Sequence, residues 1–235
     1  MISKIEENDI AFTALWSNMT ILECGYFFAN QNLPNDIFFD KLTNITCLSE
    51  KMIEEALSLF QKNNTRPFVY VFDNLELEEL LRKKGFTLYD TQHVLKKTGD
   101  SKQENLAVHH IARKDSLLWS DIFCRSFDCP EWIDEVNAIV RNSISNVEYL
   151  VDSEYNGSCV ALFEKGSVLG LYCLGTVKEN RKKGLARLLI NYAIDQVRLR
   201  NLEFLMLETY GLDGLIDFYS NLGFEKVYEK KIYSI

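Results

Sequence analysis

The stretch Leu169–Leu199, LGLYCLGTVKENRKKGLARLLINYAIDQVRL, decides how the chain reads. It opens as an apolar run, Leu169 to Val177, bounded by charge, which is the pattern of a buried strand. A basic, glycine-bearing turn follows, Lys178 to Gly184. The period then changes: Leu185, Leu188, Leu189, Tyr192 and Val197 fall at helical spacing, with Arg187, Asn191, Asp195 and Arg198 between them. The unit is strand, cationic turn, helix N-terminus. Backbone N–H groups in the first turn of a helix lack intrahelical partners, and their partial positive charge attracts anions. Gly184 has no Cβ, so a ligand can come close to the main chain; Ala186 is nearly as small. Arg181, Lys182, Lys183 and Arg187 add positive charge in a chain of net charge −8. A phosphate is the ligand that suits this corner.

Arg181-x-x-Gly184-x-Ala186 resembles the (Q/R)-x-x-G-x-(G/A) signature of the GNAT superfamily of acyl-CoA-dependent N-acyltransferases, and it stands at the same strand-to-helix junction. The resemblance implies that amides of this turn hold the pyrophosphate of coenzyme A, with acetyl-CoA as co-substrate. The implied binding set is Arg181, Lys182, Lys183, Gly184, Leu185, Ala186 and Arg187. Main-chain amides at Gly175, Thr176 and Val177 would serve the acyl carbonyl. Neither the nucleotide P-loop pattern nor the G-x-G-x-x-G dinucleotide turn is present.

Bulk properties narrow the class. With 235 residues, 47% apolar and 26% charged, the chain can bury a sizeable core and hold one or two domains. No apolar run approaches the ~20 residues of a membrane span, and MISKIEENDI lacks a signal-peptide pattern, so a cytoplasmic protein with no membrane partner is expected. The six cysteines form no C-x-x-C and there are three histidines, so no metal site is expected and the thiols read as free and mostly buried. A pI near 5.0 argues against nucleic acid as a partner.

In order, Asp9–Cys24 reads as one helix and 33–44 is ambiguous. Ser49–Gln61 is an amphipathic helix with Ser49 as N-cap and Met52, Ile53, Ala56, Leu57 and Phe60 as its stripe. A strand follows at 68–72, then a helix over Leu75–Lys84 stopped by Gly85, then a strand over 87–96. The polar run 97–104, KTGDSKQE, is the linker candidate. This gives domains at 1–98 and 106–235 with 99–105 between. After it come a strand at 106–111, helices at 116–127 and 130–144, and strands at 147–152, 158–164 and 168–177, joined by the turn signals Asn156-Gly157 and Lys165-Gly166. The chain ends with a strand at 204–208, a helix at 212–222 stopped by Gly223, and a strand at 226–233.

One segment recurs: strand, helix, Gly85-Phe86, strand; then strand, helix, Gly223-Phe224, strand. The GNAT family ends this way, so the resemblance implies tandem GNAT-like domains of mixed α/β class. Each would have a mostly antiparallel central sheet flanked by helices. The first copy is degenerate: Leu81 stands where the second has Tyr219, and Thr43–Leu48 before its helix holds neither glycine nor cation. It suits shaping a cleft or mediating association, such as a homodimer.

Acyl transfer from a thioester needs an attacking neutral amine, a base, donors for the oxyanion and a proton for the thiolate. Phe218-Tyr219-Ser220-Asn221-Leu222-Gly223-Phe224 resembles the family's (L/F)-Y-x-x-x-G-F, which makes Tyr219 the candidate general acid. Glu208 is the candidate base; Glu154 and Glu164 also sit near strand ends, and an ordered water could serve. His109 and His110 have no specific support. Gly211-Leu212-Asp213-Gly214 stands where many members carry an asparagine. The leading expectation is acetyl transfer to a primary amine of a small molecule or peptide. The alternative is a non-catalytic acyl-CoA-binding module.

Overall fold

The structure, a computed structural model, describes residues 1–99 and 107–235; most of the linker candidate lies outside the described residues. The chain forms two compact units, and neither is continuous in sequence. Unit 1 is Met1–Asn8 with Lys96–Leu207, and unit 2 is Asp9–Leu95 with Glu208–Ile235. These units cut across the 1–98 and 106–235 division expected from the polar segment.

Unit 1 carries α4 (Ser116–Ser126), α5 (Ile133–Ser143), α6 (Leu185–Leu199) and the strands β6 (Val108–His110), β7 (Val147–Asp152), β8 (Ser158–Lys165), β9 (Val168–Thr176) and the start of β10 (Phe204–Tyr210). Its strand order is β10-β9-β8-β7-β6. Antiparallel pairing runs from β6 to β9, and β10 lies parallel to β9 after the α6 crossover. The core gathers Trp119, Tyr149, Val160, Leu162, Leu169, Leu189 and Ile190, all at most 1% exposed. The Trp119 indole donates to the Val160 carbonyl (3.0 Å), so its one polar atom is satisfied inside the apolar layer.

The first helix, α1 (Ile2–Trp16), gives its opening residues to unit 1. Buried Asn8 donates to the carbonyls of Phe163 and Val168 (3.2 Å each) and accepts from the Tyr172 hydroxyl (2.7 Å). Gly170 makes room for it, since a Cβ there would lie 2.4 Å from Asn8 Oδ1.

Unit 2 holds β1 (Asn18–Leu22), β2 (Gly25–Ala29), β3 (Lys41–Thr43), α2 (Glu50–Lys62), β4 (Val69–Val71), α3 (Leu75–Lys83), β5 (Thr87–Lys97, through Leu95), α7 (Ile216–Asn221) and β11 (Glu225–Ser234). Its order is β1-β2-β3-β4-β11-β5. The last strand of the chain therefore lies between two strands of the first copy, pairing Lys231 with Val71 and Tyr233 with Val69. Lys231 and Tyr233 both bond the Glu78 carboxylate of α3 (2.8 and 2.6 Å), which explains why residues 208–235 fold with 9–95. Their pull, against burial, holds Glu78 below its ordinary carboxylate range.

The repeat is present in three dimensions. β1-β2-β3 is an antiparallel run whose third strand leads through α2 to parallel β4; β7-β8-β9 leads through α6 to parallel β10. Three local readings are corrected. The helix expected over 9–24 ends at Trp16, and β1 and β2 follow. The helix expected over 212–222 is a 3-10 turn, Gly211–Asp213, then Gly214 in the left-handed region (φ 65°), then the short α7. Two cysteines expected free are joined: Cys24 and Cys47 form a disulfide across 5.7 Å between Cα atoms, while Cys124, Cys129 and Cys159 are buried thiols outside any disulfide. Among the described residues, no helix is long and apolar enough to cross a membrane.

Candidate functional site

The cationic corner is built from three segments of unit 1. Strand β9 pairs with β10 from Val168↔Phe204 to Leu171↔Leu207. It then carries an extra residue against β8, between the pairs Ala161↔Tyr172 and Cys159↔Gly175. Cys173 takes the strain of that bulge, with φ 54°, a region costly for a residue with a side chain. Beyond it, Gly175 is buried, and a Cβ there would come within 2.6 Å of Ser126 Cβ. Its lack of a side chain is used by the end of α4, which packs directly onto β9.

Val177 leads into a 3-10 turn, Lys178–Asn180, and its amide donates to the Gly157 carbonyl (2.9 Å). Gly157 must be glycine here, because a Cβ would collide with Asn180 Nδ2 at 2.1 Å. The Asp152 carboxylate organises that hairpin by accepting from the amides of Tyr155, Gly157 and Ser158, each at 2.7 Å. Segment 125–128 grips the turn from its other side. Arg125 pairs with Glu179, and Lys178 with Asp128 (2.8 Å). The Glu179 carboxyl is held below its ordinary range by its own backbone amide first and by Arg125.

The expected binding residues divide by what they already touch. Arg181 donates from Nε to the Thr176 carbonyl (3.1 Å) and from Nη2 to the Ser126 carbonyl (3.3 Å), stapling the turn to β9 and α4. Lys183 donates to Asn180 Oδ1 (2.6 Å) and lies over the Tyr155 ring (4.5 Å). Lys182 and Arg187 are exposed and, among the described residues, form no ion pair. Leu185 is buried and anchors the helix, whereas Ala186 is half-buried beside it.

Gly184 caps α6 in the left-handed region (φ 85°), and no side chain caps the helix. It is exposed, and a Cβ there would meet nothing within 4 Å. The first-turn amides of a 15-residue helix therefore open outward beside uncommitted cations. The counterpart in unit 2 is closed. Ser49 caps α2 by accepting from the Met52 amide (3.2 Å), and Glu50 puts negative charge in its first turn. This contrast separates an open helix start flanked by cations from one closed by its own side chain.

Residues 117–224 match the acetyltransferase (GNAT) family. The solved structures that resemble the chain share its fold at low identity. A GCN5-related N-acetyltransferase from Kribbella flavida superposes with TM-score 0.71 at 12% identity, over 99% of this chain and 94% of that one. One from Sphaerobacter thermophilus gives TM-score 0.71 at 10% identity, over 100% and 90%. A tandem GNAT protein from the clavulanic acid biosynthesis pathway gives TM-score 0.60 at 10% identity, over 90% and 78%. No curated protein matches the sequence.

The two expected catalytic residues belong to unit 2. Tyr219 on α7 is 6% exposed, with its ring between those of Phe218 (5.1 Å) and Phe224 (5.8 Å). Burial, and then Asp213, push its phenol well above the ordinary range, so it keeps its proton. Glu208 on β10 is half-buried and accepts from Gln92 Nε2 (3.0 Å). Glu164 binds Arg200 (3.4 Å), and His110 Nε2 lies 3.0 Å from the Tyr192 hydroxyl. Sequence reasoning missed Arg125, Ser126 and Asp128, which shape the turn from far away in the chain and carry no local motif.

Proposed function

We propose that the chain is an acetyl-CoA-dependent N-acetyltransferase that passes an acetyl group directly to the primary amine of a small molecule or peptide. One observation carries the reading: a long helix begins at an exposed left-handed glycine with no side-chain cap, beside Lys182 and Arg187, which form no ion pair among the described residues. That arrangement is complete only with an anion. The residues fit the diphosphate of coenzyme A, and the bound co-substrate supplies an activated thioester carbonyl.

In this reading the amides of Leu185, Ala186 and Arg187 bind the diphosphate, and Lys182 and Arg187 neutralise it. Arg181 holds the turn in shape through its two carbonyl bonds. Main-chain amides of β9 beyond the Cys173 bulge orient the acyl carbonyl, since parallel pairing with β10 extends to Leu171. Glu208 takes a proton from the acceptor amine. Tyr219 holds a proton at its phenol, which burial favours, and gives it to the departing thiolate.

A second reading has one observation in its favour. The same burial makes Tyr219 a weak acid, which suits an acyl-CoA-binding module without turnover. Calorimetric titration with acetyl-CoA, followed by thiol release across a panel of amines, decides between the two. Binding with turnover supports the enzyme, binding alone supports the module, and no binding removes both.

A further inference from the structure

Unit 1 brings two thiols outside any disulfide together at the end of α4. The helix stops at Ser126, and Asp128 turns the chain through the left-handed region (φ 56°). The Cys129 amide then donates back to the Cys124 carbonyl (2.9 Å), closing the helix end as a Schellman motif does. The same fold-back joins the side chains: the Cys124 thiol is hydrogen-bonded to that of Cys129. That contact pulls the Cys124 thiol below its ordinary range, against burial and the carboxylates of Asp121 and Glu131. Cys159 differs. It is fully buried, its thiol donates to the Cys173 carbonyl (3.7 Å), and burial pushes it well above the ordinary range, so it is the less reactive sulfur. Cys124 and Cys129 are 1% and 4% exposed, but Asp128 and Pro130 on either side of Cys129 are exposed. Helix ends open locally at low free energy, and opening this one uncovers both sulfurs.

The residues between the two thiols hold the cationic turn. Arg125 pairs with Glu179, and Asp128 with Lys178 (2.8 Å). The Ser126 carbonyl accepts from Arg181 Nη2 (3.3 Å). Ser126 and Phe127 both pack onto Gly175, where a Cβ would lie 2.6 Å from Ser126 Cβ and 3.0 Å from Phe127 Cε2. The turn is therefore only as rigid as the end of α4, and the two thiols bracket that end.

We propose that Cys124 and Cys129 are a modification site, at which a peroxide converts the two thiols to a disulfide that clamps segment 125–128 and, through it, the turn at 178–181. The Cys124 thiolate attacks one oxygen of hydrogen peroxide; the O–O bond breaks, hydroxide leaves and a sulfenic acid forms. The Cys129 thiolate attacks that sulfur; the S–O bond breaks, the S–S bond forms and a second hydroxide leaves. The two thiol protons and the two hydroxides make two waters, so the sulfurs are oxidised and the peroxide is reduced. The clamp does not depend on the acetyltransferase reading; that it stiffens a diphosphate site does.

Trypsin cuts after Arg125, so this disulfide keeps two tryptic fragments joined. The full chain is treated with hydrogen peroxide, alkylated in denaturant, digested and read by mass spectrometry. The fragment ending at Arg125 and the one beginning at Ser126 travel as one species, two hydrogens lighter than their sum, and dithiothreitol separates them. NMR follows solvent exchange of backbone amides in the folded protein before and after oxidation. The amides of Phe127 and Cys129 slow at least about tenfold, and those of Asn180 and Arg181, which bond the Val177 and Lys178 carbonyls, slow with them. Cys129→Ser abolishes the linkage and keeps all four rates at their reduced values under peroxide, which sets this pair apart from Cys24–Cys47. The linkage itself is read on the wild-type chain, so a poorly folded variant does not decide the test. Cys124 and Cys129 recovered alkylated or as sulfinic acids, either one linked to a different cysteine, or a linked pair that leaves Asn180 and Arg181 exchanging as before overturns the proposal.

Discussion

Gly184 offers the sharpest perturbation of the diphosphate corner. Its φ of 85° lies where a side chain costs about 1–2 kcal/mol in backbone strain, partly offset by about 0.4–1 kcal/mol from a stiffer unfolded chain. No steric cost is added, since a Cβ meets nothing within 4 Å. Gly184→Ala should therefore lose about 1 kcal/mol and lower Tm by roughly 2–4 °C. Gly184→Gln should behave alike in stability and weaken acetyl-CoA by occlusion. Gly184→Glu adds a charge facing the diphosphate. At about 5 Å and an effective dielectric near 20, one such repulsion is about 3 kcal/mol; an exposed side chain that can swing away leaves roughly 2–3 kcal/mol. Acetyl-CoA affinity should then fall roughly 30- to 150-fold beyond the Gln variant, with most of the difference lost in high salt. Calorimetry at two ionic strengths, with melting curves alongside, reads all three. A folded Gly184→Glu protein that binds acetyl-CoA like wild type would refute the assignment of this turn.

Further outcomes follow from the same structure. Tyr219→Phe should lower turnover far more than acetyl-CoA binding; full activity in that variant would remove the phenol from the mechanism. Reducing the Cys24–Cys47 disulfide, which closes a loop of sequence separation 23, should cost about 3 kcal/mol by chain entropy, read as a drop in denaturation midpoint. Asp40 is buried, and desolvation raises its carboxyl to about 7. The folded state thus holds a proton that the unfolded state releases, so this group's contribution is complete at low pH and fades as pH rises through about 7. Asp40→Asn should flatten stability between about pH 4 and about pH 7, and an unchanged slope would contradict the burial argument.

The parts legible in the sequence were those set by local chemistry. The corner Lys178–Ala186 announced itself because charge, glycine and a change of period coincide within a few residues. Ser49 was readable as a cap, and Gly85 and Gly223, at φ 90° and 81°, were readable as helix stops. What failed depended on distant partners. Strand β1 exposes Met19 and Ile21 by 41% and 70%, so its apolar residues follow no core-facing alternation and merged with the preceding helix. The Cys173 bulge has no signature, because nothing marks a cysteine for the left-handed region. The second use of Gly175, whose missing Cβ leaves room for Ser126, depends on a residue 49 positions away and has no local signature either. The membership of β11 in unit 2 is set by its pairing with β4, which no local pattern encodes. Gly214, by contrast, was a readable break in 211–214 that the helical reading overran.

The central claim is that main-chain amides at the start of α6 hold the diphosphate of acetyl-CoA. The most direct measurement is a backbone amide NMR titration with acetyl-CoA, repeated with coenzyme A fragments that lack the diphosphate. The account predicts that the amide signals of Gly184, Leu185, Ala186 and Arg187 move together and saturate with acetyl-CoA, while the fragments leave them unmoved. Saturable binding of acetyl-CoA that leaves these four amides in place would contradict it.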